Sequence, residues 1–255
     1  MIRALGVLVA AVAATLPGPA LDPAHLAPPR QGLVIRASGG VVLVDLRGHV
    51  LGHLDGFRLD DVAEPIRRPR DVLLRKGAGA YALGRRGVRR IPRLRGGWPR
   101  TRTGCHPGPL PFVICGYPYS RRERPSAVYL RGRKLVGPLP SPMSHPSGFW
   151  VSAELSPDRK TLLLQWSGEC EIPTAYFARA AGSRLRAVVG SGGTESVALG
   201  WARDGRAVVH LPRAFCGAGV RRAGVYLLDP RSKRRSFVYG GDGRLWGSAL
   251  SASAR

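Results

Sequence analysis

The sequence lacks the patterns of several common protein classes. No long stretch repeats apolar residues at the 3.6-residue period of a helix, which argues against a helical protein. The N-terminal apolar run, Ala4–Leu16, is shorter than the ~20 residues needed to span a bilayer comfortably. Acidic residues are scarce, with 16 Asp+Glu against 40 Lys+Arg, and only four of those 40 are lysines. The remaining pattern, short apolar runs among 34 Gly and 22 Pro, predicts an all-β chain.

The formal net charge of +24 leaves two interpretations open. A field of this sign favours anionic partners such as nucleic acid, acidic polysaccharide, teichoic-acid-like polymer or a lipid surface. An excess of Arg together with abundant Ala, Gly and Pro is also what a GC-rich genome produces. The charge therefore indicates either a functional anionic partner or a solvated surface of biased composition.

Motifs of common catalytic, cofactor and metal sites are also missing. The sequence contains no GxSxG, CxxC or HxxxH pattern. His49 and His53 are close in sequence, but on a predicted strand and turn, which does not favour a metal pair. His210 replaces an apolar residue in a predicted strand and is expected to be a core or rim histidine. No cofactor and no metal are predicted.

Most carboxylates lie beside turn signals, and few are candidates for catalysis. Asp158 and Asp204 are expected to form turns by accepting backbone N–H bonds. Glu154 lies on a predicted strand, near the central channel that a ring of β-sheets would enclose. Glu169 and Glu171 flank Cys170. Because Glu154 lacks the partner that two-carboxylate chemistry needs, the chain is expected to be non-catalytic. The alternative is a hydrolase or lyase with its active site at the channel mouth.

The N-terminus resembles an export signal. A short positive start precedes the apolar run, and Pro17–Ala20 offers small residues for cleavage. We expect a signal peptide at 1–20, a Pro-rich linker at 21–31 and one domain at 32–255. No cysteine follows the predicted cleavage point, so a secreted or extracytoplasmic protein without a lipid anchor is expected.

The four cysteines fit an oxidising compartment, and they allow three pairings. Spacing favours Cys105 with Cys115, inside a Gly/Pro-rich loop. Symmetry between repeats favours Cys170 with Cys216. Disulfides are therefore predicted for all four cysteines.

The clearest internal signal is a repeat with a period of about 46 residues. The stretch LSPDRKTLLLQWSGEC at Leu155–Cys170 aligns without a gap with WARDGRAVVHLPRAFC at Trp201–Cys216. Five sets of short strands follow the same spacing, and their third strands share one kernel: VVLVD, AYAL, AVYL, AYFA and VYLL. The repeat predicts a β-propeller of about five four-stranded blades, with six as the alternative.

The first set lacks the first, or leading, strand of a four-stranded blade, and an additional predicted strand follows the fifth set. Leu245–Arg255, LWGSALSASAR, resembles the leading strand of the fourth set, FWVSAELSPDR at Phe149–Arg159. Pairing of this segment into the first blade would close the ring. A disordered Ser/Ala tail is the alternative.

The two aligned stretches resemble the W-S-P-D-G-K motif of TolB-like (WD40-like, PD40) propeller repeats, in secreted bacterial proteins of actinobacterial type. Ser156, Pro157 and Asp158 match in one copy, but Arg159 replaces the glycine. Trp201 and Asp204-Gly205 match in the other copy, where Ala202-Arg203 replace Ser-Pro. The resemblance implies a propeller fold, and a fold does not define a function.

Clusters of arginine are the best candidates for a binding surface. The largest cluster occupies the predicted outer hairpin of the second blade; its members are Arg85, Arg86, Arg89, Arg90, Arg93 and Arg95. A second group, Arg231–Arg235, fills a turn of the fifth blade.

The expected partner is an envelope protein or an anionic envelope polymer. Nucleic acid is disfavoured for an exported protein, and membrane contact would be peripheral. A monomer is expected. Protection of sheet edges by outward arginines is the alternative role.

Overall fold

The structure is a computed structural model. It describes residues 16–60, 71–92, 105–107, 112–115, 126–139, 148–167, 173–181, 184–189, 195–213 and 220–248. Within these ranges every named element is a β-strand, so the all-β prediction is confirmed. No helix in these ranges is long and apolar enough to cross a membrane.

Within the described ranges, twenty strands form five four-stranded antiparallel sheets. In chain order the strands are β1 Gly32–Ala37, β2 Gly40–Val44, β3 Val50–Asp55, β4 Arg58–Leu59, β5 Val72–Lys76, β6 Gly79–Gly84, β7 Gly87–Ile91, β8 Cys105–Pro107, β9 Phe112–Cys115, β10 Ala127–Leu130, β11 Arg133–Val136, β12 Phe149–Leu155, β13 Thr161–Ser167, β14 Pro173–Arg179, β15 Arg186–Ala187, β16 Val197–Trp201, β17 Ala207–Leu211, β18 Gly224–Leu228, β19 Arg235–Tyr239 and β20 Gly243–Trp246. The first sheet has the order β20-β1-β2-β3, and the others contain β4 to β7, β8 to β11, β12 to β15 and β16 to β19 in sequence.

The predicted kernel marks the third strand of every sheet. These strands are β2, β6, β10, β14 and β18. β2 and β18 are buried along their whole length, as expected of central strands packed on both faces. The fourth strand of a sheet is more exposed, and Arg89 and Arg90 on β7 face solvent. The apolar runs in the sequence therefore predicted correctly which strand is the third in each repeat.

Two leading strands were missed by the sequence prediction, because they are short. β4 contains two residues, and its pairing with β5 joins Arg58 to Arg75 and Leu59 to Leu74. β8 lies in a stretch rich in Gly and Pro that carries no strand signal.

The C-terminal strand β20 pairs antiparallel with β1, and Leu245 and Trp246 of the predicted closing segment belong to it. The register joins Gly32 to Trp246 and Ile35 to Gly243. The indole of Trp246 is fully buried, and its Nε1–H donates to the carbonyl of Pro29 at 2.9 Å. β20 thus supplies the leading strand that the first sheet otherwise lacks. Residues 249–255 of the predicted closing segment lie outside the described residues.

The hydrophobic core lies between sheets, in four separate clusters. One cluster joins the first and second sheets, and others join the first to the fifth, the fifth to the fourth and the fourth to the third. The largest buried side chains include Trp150 and Trp201, which lie on leading strands, β12 and β16. No sheet buries its faces alone, which is the packing expected of stacked repeats. Residues 93–104, between the second and third sheets, are outside the described part.

Residues 19–21 run alongside β3. The carbonyl of Pro19 accepts the His53 N–H at 2.9 Å, and the Leu21 N–H donates to the His53 carbonyl at 2.9 Å. Gly52, at φ 149°, allows this approach, because a Cβ there would lie 2.5 Å from the Pro19 carbonyl oxygen. The predicted boundary between signal peptide and linker falls inside this segment. Cleavage there stays a prediction.

Candidate functional site

The aspartates of the repeat motif act as turn formers, as predicted. Asp158 Oδ1 accepts the Ser156 hydroxyl at 2.6 Å and the Lys160 N–H at 3.1 Å. The hydrogen bond from Ser156 is the main reason that the pKa of Asp158 is lowered. Asp204 Oδ1 accepts the Arg206 N–H at 3.0 Å in the equivalent turn. Both carboxylates are therefore occupied by their own turns.

Cations gather at one end of the third, fourth and fifth sheets. In an antiparallel sheet, the turn joining the first and second strands and the turn joining the third and fourth leave from the same end. We call the segments 131–134, 156–160, 179–181, 184–186, 202–206 and 229–235 the turn surface. Its described cations are Arg131, Arg133, Lys134, Arg159, Lys160, Arg179, Arg184, Arg186, Arg203, Arg206, Arg231, Lys233, Arg234 and Arg235.

Contacts between sheets make the turn surface continuous. Arg231 Nη2 of the fifth sheet lies 3.3 Å from Asp158 Oδ2 of the fourth. The guanidinium of Arg186 also donates to the carbonyl of Pro230 across this boundary. Arg133 of the third sheet donates to the carbonyl of Ala180 in the fourth at 3.5 Å. The turns of three successive sheets therefore lie side by side.

The acidic side chains of the turn surface are few, and each is engaged locally. The sequence of these segments contains only Asp158, Asp204 and Asp229. Asp229 Oδ1 accepts the Arg231 N–H at 2.7 Å, and this bond is the first cause of its lowered pKa. Exposed cations such as Arg159, Lys160 and Lys233 thus outnumber the carboxylates that could neutralise them.

The predicted arginine cluster of the second sheet is only partly a free surface. Arg85 and Arg86 are exposed in the turn between β6 and β7. Arg90 is exposed on β7, where it lies opposite Tyr81. Arg89 Nη2 makes an ion pair with Asp71 Oδ2 at 2.7 Å. Arg93 and Arg95 lie outside the described residues.

Sequence reasoning recognised one part of the turn surface and missed the rest. The group Arg231–Arg235 was predicted as a candidate, but Arg131, Arg159 and Lys160 were not connected with it. A usable signal was present, because the antiparallel order of each set already places these turns at one end of their sheets.

Glu154 lies between the fourth, fifth and first sheets, where its side chain is partly buried. The Ser248 hydroxyl, just beyond β20, donates to Glu154 Oε2 at 3.1 Å. The same hydroxyl accepts the Trp201 N–H at 2.9 Å, and the Trp201 indole donates to the Glu154 carbonyl at 3.3 Å. Burial raises the pKa of Glu154 to about 7, and the hydrogen bond from Ser248 opposes this rise. Its carboxyl is therefore partly protonated at neutral pH.

Among the described residues, the candidate histidines contact carboxylates other than Glu154. Glu169 and Glu171 lie outside the described residues. His210 is buried on β17, with Nδ1 3.7 Å from Asp242 Oδ1, and burial lowers its pKa. His49 and His53 contact different carboxylates, those of Asp45 and Asp55 respectively. Within the described ranges no group of three or more His, Cys, Asp or Glu could hold a metal ion.

Cys105 and Cys115 form a disulfide, the pairing that spacing favoured. The two residues lie directly opposite each other on β8 and β9. The disulfide links a short leading strand to its neighbour. Cys170 and Cys216, the second predicted pair, lie outside the described residues.

Comparisons with known proteins return only distant structural likenesses. No protein-family model matches the sequence, and no curated protein matches it. TolB from Agrobacterium tumefaciens is 14% identical over 84% of this chain and 90% of that chain, with a TM-score of 0.39. TolB from Acinetobacter baumannii is 13% identical over 90% of this chain and 55% of that chain, with a TM-score of 0.35. Oligopeptidase B from Leishmania major is 11% identical over 84% of this chain and 34% of that chain, with a TM-score of 0.33. Because these values are low, function has to be inferred from this chain's own residues.

Proposed function

We propose that the chain is an extracytoplasmic, non-catalytic β-propeller of five blades, closed by β20, that binds an anionic cell-surface polymer. The five sheets and the pairing of β20 with β1 support the propeller. The disulfide between Cys105 and Cys115 supports an oxidising compartment. Of the two partner classes that the sequence left open, the polymer is favoured over an envelope protein by the charge of the exposed turns.

The turn surface carries this proposal. Arginine presents a planar set of five donors that matches the oxygens of phosphate and carboxylate groups. On the turn surface such side chains occupy adjacent turns of three sheets, and the carboxylates among them are already bonded to backbone N–H groups. A linear polyanion lying across the turns would meet cations from each sheet in succession.

The test is salt-dependent binding to the anionic polymers of a bacterial envelope. Binding by the wild-type chain should weaken as salt screens the charges. Reversing Lys160 and Arg234, two exposed cations of the turn surface, should weaken it further. The matched control reverses Arg213 and Arg221, which lie near the connection between β17 and β18 at the other end of the fifth sheet. Salt-insensitive binding, or none to any envelope polymer, would contradict the proposal.

Glu154 favours a second candidate function, that of a hydrolase or lyase at the channel mouth. A carboxyl that titrates near pH 7 is suited to general acid or base catalysis. Two-carboxylate hydrolysis needs a partner, whereas the carboxyl of Glu154 is hydrogen-bonded to the Ser248 hydroxyl. If the chain has such an activity, Glu154→Gln should abolish turnover and leave polymer binding unchanged. Full turnover in this variant would exclude Glu154 as the catalytic group.

A further inference from the structure

Three cations on the turn surface adopt a backbone conformation that disfavours them. In the described part of the chain, the non-glycine residues with positive φ are Arg131 at 50°, Arg159 at 62° and Lys233 at 59°. Glycine, asparagine and aspartate are the usual residues in this left-handed region, because a larger side chain is strained there. All three exceptions here are exposed cations, one in each of the third, fourth and fifth sheets. Strained residues of this kind tend to mark functional positions.

The repeat supplies an internal control for Arg159. In the equivalent turn of the fifth sheet the same position is Gly205, at φ 83°. Both turns close with the same hydrogen bond, from Arg159 N to the Ser156 carbonyl at 2.8 Å and from Gly205 N to the Ala202 carbonyl at 3.1 Å. Glycine therefore builds this turn without strain. The fold does not require a cation there.

The composition of the turn surface restricts the chemistry of its ligand. Its segments contain no aromatic residue. Proteins that bind single-stranded nucleic acid combine cations with aromatic side chains on which the bases stack. The turn surface offers charge and hydrogen bonds but no such platform. A polymer with a charge on every repeat and no ring to stack fits it better than a nucleic acid does.

We propose that Arg131, Arg159 and Lys233 are contact points for a phosphodiester polymer whose repeating unit is a small acyclic alcohol. This inference rests on the proposed function and names the ligand and its contacts. One cation from each of three adjacent sheets contacts a phosphate of the same polymer, whose flexible backbone lies across the neighbouring turns. Strain at the three positions is retained because glycine would remove the contact.

The experiment compares two doubly substituted chains of equal net charge. The test variant is Arg159→Gly with Lys233→Gly, and the control is Arg213→Gln with Arg221→Gln. Affinity for poly(glycerol phosphate) is measured over a range of salt concentrations, together with the melting temperature. The test variant should bind about tenfold more weakly, its salt slope should fall by about 2, and the control should change less than about twofold. The melting temperature of the test variant should be unchanged or higher, since glycine relieves the backbone strain at positions 159 and 233.

Each other outcome overturns a specific statement. Equal loss in the test and control variants means that affinity follows net charge alone, which overturns the assigned contacts and leaves the proposed function standing. Equal affinity for polygalacturonate or for single-stranded oligothymidylate, at equal charge, overturns the assignment of the polymer. Absence of wild-type binding to any polyanion overturns the proposed function itself.

Discussion

At the scale of single residues, Glu154 is the group most affected by its surroundings. It lies on β12, between buried Ala153 and Leu155, and its carboxyl reaches the hydroxyl of Ser248. Gly200 allows that hydroxyl to approach, because a Cβ at this position would lie 2.4 Å from Ser248 Oγ. Burial of this carboxyl favours its protonated form, against the hydrogen bond from Ser248, so this position links the stability of the fold to pH.

The first prediction concerns the pH dependence of stability. Since the pKa of Glu154 rises from 4.5 in the unfolded chain to about 7 in the folded chain, the folded state holds more protons between these values. The free energy of unfolding should therefore fall as pH rises from 4.5 to about 7, and then level off. Glu154→Gln should remove this fall and stabilise the protein by about 3 kcal/mol above pH 7, with little effect at pH 4.

Denaturant titrations at several pH values measure this effect. The glutamine keeps an oxygen that can accept the Ser248 hydroxyl, so packing should be preserved. If the free energy of unfolding of Glu154→Gln still falls between pH 4.5 and about 7, another group takes up the proton. Glu154 is then not the cause of the pH dependence.

At the scale of elements, β20 joins the C-terminal part of the chain to its first sheet. Leu245 and Trp246 are buried, and Trp246 packs in the cluster between the first and second sheets. Gln31 adds a link, because its Nε2 donates to the carbonyls of Gly247 at 2.7 Å and Trp201 at 3.0 Å. The strand thus connects the first, second and fifth sheets.

The second prediction concerns removal of this strand. A chain ended after Asp242 should lose at least about 4 kcal/mol of stability, since it no longer buries Leu245 and Trp246. A chain ended after Ser248 is the matched control and should melt close to the wild type. If the shorter chain does not fold, Trp246→Ala measures the same contact and should cost about 3–5 kcal/mol. Equal melting of the two truncated chains would contradict a structural role for β20.

The third prediction concerns the two cysteine pairs. The bond between Cys105 and Cys115 closes a short loop, with a sequence separation of 10, so replacing both by serine should cost about 3 kcal/mol. Cys170 and Cys216 stay a predicted pair; if they are bonded, their longer loop should make the same replacement cost about 4 kcal/mol. Thermal melts with and without reductant measure both. Two titratable thiols in the unreduced, unfolded wild type would contradict the second bond.

At the scale of the whole molecule, a charge of +24 on 255 residues acts against the compact state. Local ion pairs offset it in places, as between Arg75 and Asp60 at 2.8 Å and between Arg244 and Asp242 at 2.9 Å. The turn surface has few such pairs relative to its cations. Repulsion among its exposed side chains should be one cost of keeping a surface that attracts polyanions.

The fourth prediction follows from this repulsion. Raising ionic strength from about 0.01 M to about 0.15 M shortens the screening length from about 30 Å to about 8 Å, so the melting temperature should rise. Reversing Arg85 and Arg86 lowers the net charge and should reduce the rise. Sodium chloride is the salt of choice, because phosphate would also bind the surface. A melting temperature that does not respond to salt would show that the charges are too far apart to repel.

Much of the architecture was predictable because it depends on local patterns. Apolar runs at a regular period indicate which segments become strands, and the shared kernel identified β2, β6, β10, β14 and β18 as equivalent. The roles of Asp158 and Asp204 were predictable for the same reason, since a turn aspartate bonds within its own turn. β4 was not predictable, because two residues carry no period and only pairing with β5 defines them.

The sequence by itself determined the strands, their order within each repeat, the turns and the excess of cations. Only the tertiary structure decided which side chains from different repeats meet. It placed Ser248 against Glu154, paired Arg89 with Asp71, and brought the turns of three sheets into one surface through contacts such as Arg231 with Asp158. The physical reason is distance along the chain: local periodicity specifies a strand and its turn, whereas contacts between sheets depend on how the packed cores orient them.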